Sequence, residues 1–184
     1  MPDSNITKRA LAASLKELMA DIPFSKIRIG DICEKCNMNR KSFYYHFKDK
    51  YDLVNWIYYT EFISTMKNKK YDNVWELLMD ICNYFYQNKS FYNKVLKIEG
   101  QNSFSDYFQK LCAPITAEYI KDLFEDTETS SFYVIFFVDG FIAAIKRWIS
   151  NPNGVMPDEF VRLIYSCVYG AAKVPNEFPP VLKK

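Results

Sequence analysis

Arg40, Lys41 and Ser42 are followed at once by Phe43, Tyr44, Tyr45, His46 and Phe47. This order puts cationic and hydroxyl donors on the first turn of a short helix and rings behind them. Guanidinium and ammonium groups so placed donate to anions, either to phosphate oxygens or to O6 and N7 of guanine in a DNA major groove. Tyr44, His46 and Lys50 can hold phosphate oxygens, which fixes position on a duplex without reading its sequence. Phe43 and Phe47 lie four apart, the spacing of one helix face, and are expected to turn inward. Other chemistry has little material. One His, no Ser/His/Asp order and no Gly-rich phosphate loop leave an enzyme as the weak alternative. Cys33-x-x-Cys36 has the spacing of a metal or redox pair, but zinc needs four ligands; Cys82, Cys112 and Cys167 are scattered and His46 is the only histidine. The pair reads as small core residues, and no metal or cofactor is expected.

The elements that must position these donors are legible nearby. Ile29, Ile32, Cys33 and Cys36 fall at helical spacing and predict a short helix over 29–36. The chain then turns at Asn37, the residue type that after Gly best tolerates a positive φ. Met38 can plug the gap between the helices, and Asn39 is a good N-cap for a second helix over 39–46. The result is a helix-turn-helix, whose second helix offers its N-terminal residues to base edges. A basic, solvated hairpin inside an ordinary bundle is the plainer alternative. Charge segregation argues against it: residues 1–50 hold ten Lys/Arg against six Asp/Glu, a net of +4, and the remainder fourteen against sixteen, a net of −2.

The 184 residues are 49% hydrophobic and 17% aromatic, enough for a sizeable core in one large domain or a small one plus a medium one. The opening Met1-Pro2-Asp3-Ser4-Asn5 is polar, with no apolar signal region after it. The most apolar run, Phe132 to Ile145, is broken by Asp139, closed by Lys146-Arg147, and too short to span a bilayer. A soluble cytoplasmic protein with reduced cysteines and no membrane partner is expected. Apolar periodicity and stop signals predict helices over about 4–22 (capped by Ser4, stopped by Pro23), 50–68 (capped by Asp49, ended by the Lys-rich run 67–70), 73–87, 90–99 (begun by Ser90, stopped by Gly100), 103–124, 131–149 and 157–170. Pro114 should kink or interrupt the 103–124 helix, and the tail 175–184 should be irregular. With the two short helices this is an all-α chain of about nine helices. The reading head is expected over 1–50, with its supporting helix to 68, and a second helical domain over 69–184.

Residues 4–65 resemble the tetracycline-repressor (TetR) family of bacterial transcription regulators. The likeness lies in Cys33-Glu34-Lys35-Cys36-Asn37-Met38-Asn39, then Phe43-Tyr44-Tyr45-His46-Phe47, then Lys50-Tyr51-Asp52-Leu53. The chain departs from the family pattern with Arg28 for a Thr or Ser cap, Asn37 for Gly, Met38 for Val and Asn39 for Ser. The resemblance implies a double-stranded DNA operator as partner and a contact set of Arg28, Asn39, Arg40, Lys41, Ser42, Tyr44, Tyr45, His46 and Lys50. At 28, Arg would itself supply the contact that a hydroxyl otherwise makes.

The last two helices carry a second signal. The segment 132–149 is apolar around most of its circumference, and 157–170 adds a broad apolar face. The resemblance implies a four-helix homodimer interface, with Phe136, Phe141, Ile164 and Val168 near its middle and an inverted-repeat operator; a wholly intramolecular core is the alternative. Residues 75–172 look like the TetR subgroup that contains the activator of dihydroxyacetone kinase genes. Two signals are open. Tyr84, Phe85, Phe91, Tyr92, Tyr107 and Phe108 can line an effector pocket or be ordinary core, and a partner protein can bring the signal instead. A regulator released from DNA by a ligand, a coactivator-dependent activator and a protein-interaction adaptor are the functions in competition.

Overall fold

The computed structural model describes residues 2–66, 69–98, 103–120 and 130–172. They are helical throughout, with no strand among the described residues. The helices are α1 (Pro2–Asp21), α2 (Ile29–Lys35), α3 (Arg40–His46), α4 (Lys50–Tyr58), α5 (Ser64–Met66), α6 (Val74–Gln87), α7 (Lys89–Val95), α8 (Phe104–Ile120), α9 (Ser130–Ser150) and α10 (Pro157–Ala172). A 3₁₀ turn, Phe24–Lys26, joins α1 to α2, and a π turn, Tyr59–Ile63, joins α4 to α5 without a break. Counting that run as one rod gives the nine helices expected.

Local capping chemistry sets most of the starts. The Asp49 carboxylate accepts from Tyr51 and Asp52 N–H at 2.8 Å, Asn73 accepts from Trp75 and Glu76 N–H, and Ser103 accepts from Asp106 N–H at 3.2 Å. Pro157 opens α10 where its missing N–H costs nothing. Three expectations need correction. α1 starts at Pro2, so Ser4 lies within the helix instead of capping it. α7 starts at Lys89, so Ser90 is not its cap. The rod from Lys50 widens into the π turn, a change of hydrogen-bond register with no composition signal. Pro114 sits inside α8 without interrupting it. The expected helix ends at 67–68, 99–100 and 124, and the tail 175–184, lie outside the described residues.

One apolar cluster runs from Leu11 and Leu15 in α1, through Phe43, Leu53, Ile57 and Tyr58, to Phe85, Phe108, Ile145 and Phe160. α8 lies along α9, α10 packs on α6, and α7 touches both α1 and α9. The first four helices are thereby seated on the C-terminal ones.

Candidate nucleic-acid interface

The turn between α2 and α3 is built as its residues dictate. The Asp31 carboxylate accepts from the Arg28 N–H at 2.7 Å and holds the start of α2. Asn37 has φ 58°, the left-handed conformation the turn requires. Met38 N–H closes back onto Cys33 O at 2.8 Å, and Asn39 Oδ1 accepts from Ser42 N–H at 2.8 Å. Phe43 and Phe47 are buried, their rings 5.7 Å apart, with Phe47 against Trp56 at 5.8 Å. That anchoring leaves Arg40, Lys41, Tyr44 and Tyr45 exposed on the outer side of α3, with Tyr45 81% exposed. Ser42 and His46 are half-buried beside them. Burial, and then the Lys8 ammonium, hold His46 below its usual value, so it is neutral at neutral pH.

Two side chains behave differently from their neighbours. The Arg40 guanidinium lies across the start of α2: a Cβ built on Gly30 would sit 2.7 Å from one of its terminal nitrogens. A side chain at residue 30 would make the guanidinium shift from that position. Lys50, expected as a phosphate clamp, is turned inward. Its ammonium donates to Phe24 O at 2.6 Å and Ile27 O at 2.8 Å, with Ser25 O at 3.4 Å, and lies 4.4 Å from the centre of the Phe24 ring. Phe24 O also accepts from Ile27 N–H at 3.2 Å, and the cation supplies a further donor to the carbonyls of the 3₁₀ turn and its exit. Burial lowers the Lys50 pKa, and Asp31 partly restores it. Lys50 is therefore a clamp on the protein's own backbone. Cys33 is buried and the half-buried Cys36 thiol donates to Ile32 O at 3.3 Å, a core arrangement. No cluster of potential metal ligands occurs among the described residues.

Links between this head and the C-terminal helices escaped sequence reasoning. Lys94 of α7 donates to the Met19 and Ala20 carbonyls at the end of α1. Lys16 of α1 pairs with Glu61 of the π turn at 2.5 Å. Glu61 accepts from the Tyr84 hydroxyl at 3.0 Å, and Tyr84 shares a hydrogen bond with Tyr92 at 2.9 Å. The partners lie up to 75 residues apart, beyond any local pattern.

The expected effector pocket is corrected. Phe85, Phe91, Tyr92 and Phe108 are buried, Tyr84 and Tyr107 half-buried, and the rings close on one another around Tyr58 instead of enclosing space. A cavity of about 480 Å³ lies elsewhere, between α6, α8, α9 and α10. All four residues assigned to the middle of the dimer interface, Phe136, Phe141, Ile164 and Val168, line it. Phe141, Ile164 and Val168 are half-buried, and only Phe136, at 59%, is well exposed. The apolar side chains that do face outward are Phe132, Ile135 and Phe136 on α9 and Leu163 and Tyr165 on α10.

Comparison with known proteins agrees with this architecture. Residues 11–57 match the profile of bacterial regulatory proteins of the tetR family, and residues 72–170 that of a transcriptional regulator C-terminal region. The HTH-type dhaKLM operon transcriptional activator DhaS of Lactococcus lactis subsp. lactis (strain IL1403) is 28% identical over 110 residues, 59% of this chain. The match spans little more than half of that relative, 57% of its length. Among solved structures, the dihydroxyacetone kinase operon activator DhaS superposes with a TM-score of 0.65 at 20% identity, over 91% of this chain and 97% of its own. A TetR transcriptional regulator from Streptococcus agalactiae 2603V reaches 0.72 at 20% identity, over 91% and 96%. NalD, the secondary repressor of the MexAB-OprM multidrug efflux pump in Pseudomonas aeruginosa, reaches 0.61 at 15% identity, over 91% and 96%. At these identities the likeness is one of fold.

Proposed function

Because the chain belongs to the TetR family of bacterial transcriptional regulators, we propose that it binds duplex DNA as a homodimer, each α3 lying in a major groove of an inverted-repeat operator. The observation that carries this reading is the exposed first turn of α3, where Arg40 and Lys41 follow the Asn39 cap and face outward. Arg40 and Lys41 read bases or hold phosphate, while Tyr44, Tyr45, Ser42 and His46 hold the backbone. Lys50 keeps the 3₁₀ turn beside α2 in place and with it Arg28. Residues 1–50 and the supporting helix form the reading head, and 69–184 the regulatory and pairing domain, working in the cytoplasm where the operator is. No helix among the described residues is long and apolar enough to cross a membrane.

Pairing uses the outward side chains Phe132, Ile135, Phe136 and Leu163, a centre shifted from the one expected because Phe141, Ile164 and Val168 are half-buried around the cavity. Apolar side chains grouped on one face mark an interaction surface, and two-fold pairing sets two recognition helices about 34–36 Å apart, one DNA turn. The kinship with DhaS favours a second reading on the same DNA-binding scheme, in which the regulator switches an operon on.

The test is affinity for a duplex selected in vitro from random sequence. Arg40→Ala should weaken binding by about 1–3 kcal/mol and relax preference at one position of each half-site. Affinity should fall steeply with salt. A folded Arg40→Ala protein with wild-type affinity and preference overturns the assignment. Sedimentation at micromolar concentration should give a dimer for the wild type and a monomer for Leu163→Asp; a monomeric wild type removes both the interface and the inverted repeat.

A further inference from the structure

We propose that a second cavity, where the reading head meets α7, is a binding site for a small, singly charged aromatic anion of the carboxylate class. The cavity measures about 460 Å³, within the roughly 300–1,000 Å³ usual for small-molecule sites. It is lined by the end of α1, the 3₁₀ turn, the start of α4 and the end of α7 with the residues just after it. The biological role of an occupant rests on the regulator reading, since it would touch the head and the C-terminal domain at once. The site itself stands on its own geometry.

Two cations line it with donors to spare. Lys94 donates to the Met19 and Ala20 carbonyls, to the latter at 2.5 Å. Those carbonyls belong to the last turn of α1, where the helix supplies no donor of its own. An ammonium has three N–H groups, so one remains for a ligand. Lys97, three residues on and exposed, has no hydrogen bond or ion pair among the described residues. Asp21, also exposed, is the one carboxylate in the lining. Two positive charges against one negative leave a balance of one, so a single negative charge is matched and a second is opposed.

A bare inorganic ion does not use the rest of the wall. The Phe24 and Tyr51 rings stand edge to face, 5.2 Å apart, and Pro23 and Ile98 add further hydrocarbon. A flat ring system covers such a surface, whereas a hydrated ion leaves it wet. The site is also preformed. Lys94 holds the end of α1, and Lys50 donates to Phe24 O and Ile27 O. The linker that supplies Asp21, Pro23, Phe24 and Ser25 is thus fastened at both ends by ammonium groups. A wall fixed before binding loses little freedom when it binds. One side of the cavity belongs to the head and the other to α7, so an occupant ties the two together. It alters operator affinity to the extent that it prefers one arrangement of them.

The experiment is isothermal titration calorimetry of the full chain, without DNA, with 2-naphthoate, a two-ring carboxylate. Its alcohol, 2-naphthalenemethanol, has the rings without the charge, and inorganic phosphate has charge without the rings. The naphthoate should saturate one site per chain and bind about tenfold more tightly than either, the worth of one charge-assisted hydrogen bond. Lys97→Glu reverses a charge at an exposed position, and Ser25→Trp puts a bulky ring at another. Each should weaken the naphthoate by about tenfold, with folding checked by circular dichroism and thermal unfolding. Should one of them fail to fold, the other decides. No saturable binding, equal binding of the alcohol or of phosphate, or unchanged binding in either folded variant would overturn the proposal; in the last case the naphthoate sits on other cations or in the apolar cavity. Because DNA is absent, failure here leaves the operator reading standing, and loss of operator binding leaves this site standing.

Discussion

Two aromatic regions of this molecule, one around Tyr58 and one around Trp75, are made of similar residues and end in opposite states. Around Tyr58 the rings of Phe62, Phe85, Tyr92, Phe104 and Phe108 come from four segments and meet at centroid distances of 4.9–6.3 Å, mostly edge to face. Around Trp75 the rings of Tyr119, Tyr165 and Tyr169 gather just as closely, at 4.8–6.2 Å, but on one side only. Across the space from them Gly140, Ala144, Cys112 and Thr116 stand among the larger Phe136, Phe137 and Phe141. Ring content does not distinguish a core from a pocket. What differs is the small residues, Gly140 and Ala144 with Cys112 and Thr116, that interrupt the wall around the open space.

The sharpest way to break that contrast is to open the filled region. Phe85→Ala should destabilise the fold by about 3–5 kcal/mol in chemical denaturation, the usual loss for a buried ring that leaves a hole behind. A loss under about 1 kcal/mol would mean that the Tyr58 cluster is slack and that the two regions do not differ. A matched pair of enlargements comes next. Ala12 is buried in the packed core of α1, so Ala12→Leu should cost about 1–3 kcal/mol through overpacking. Ala144→Leu projects into existing space and should cost nothing or add stability; equal losses would erase the distinction. The smallest effect concerns Tyr58 itself, whose hydroxyl is buried without a hydrogen-bond partner. Tyr58→Phe should raise stability by about 1 kcal/mol by removing an unpaired polar group while keeping the ring. A loss would mean that the hydroxyl makes a contact the geometry does not show.

The reading head was legible from the sequence because its determinants are local. Asn39 caps a group three residues on, Phe43 and Phe47 share a face by spacing alone, and the positive φ at Asn37 needs only the residue type. The all-α fold followed from periodicity in the same way. What stayed hidden depends on partners far along the chain. Lys50 carries the charge of a phosphate clamp, but carbonyls 23 and 26 residues earlier take it. Glu61 finds Lys16 across 45 residues. The apolar excess of α9 announced burial on more than one side, yet nothing in the sequence said which side would meet α8 and which would face outward. Whether Phe141, Ile164 and Val168 meet a second copy, and whether the rings at 84–108 line a pocket or fill a core, depends on residues from other helices that no local pattern names.

The π turn at Tyr59–Ile63 has a consequence for the arithmetic of the chain. Each residue of an α-helix advances the azimuth by about 100°, since 3.6 complete a revolution. A wide turn absorbs one residue beyond that count and returns the helix to its original phase. The rod from Lys50 to Met66 is thus one residue longer than its two faces require. Removing Thr60 would leave Leu53 and Ile57 on one side, and Met66 on the other, still aligned. The same deletion at Asn55, within the regular α4, would turn everything after it by more than a quarter revolution, and with it the bearing of the reading head on the rest of the molecule.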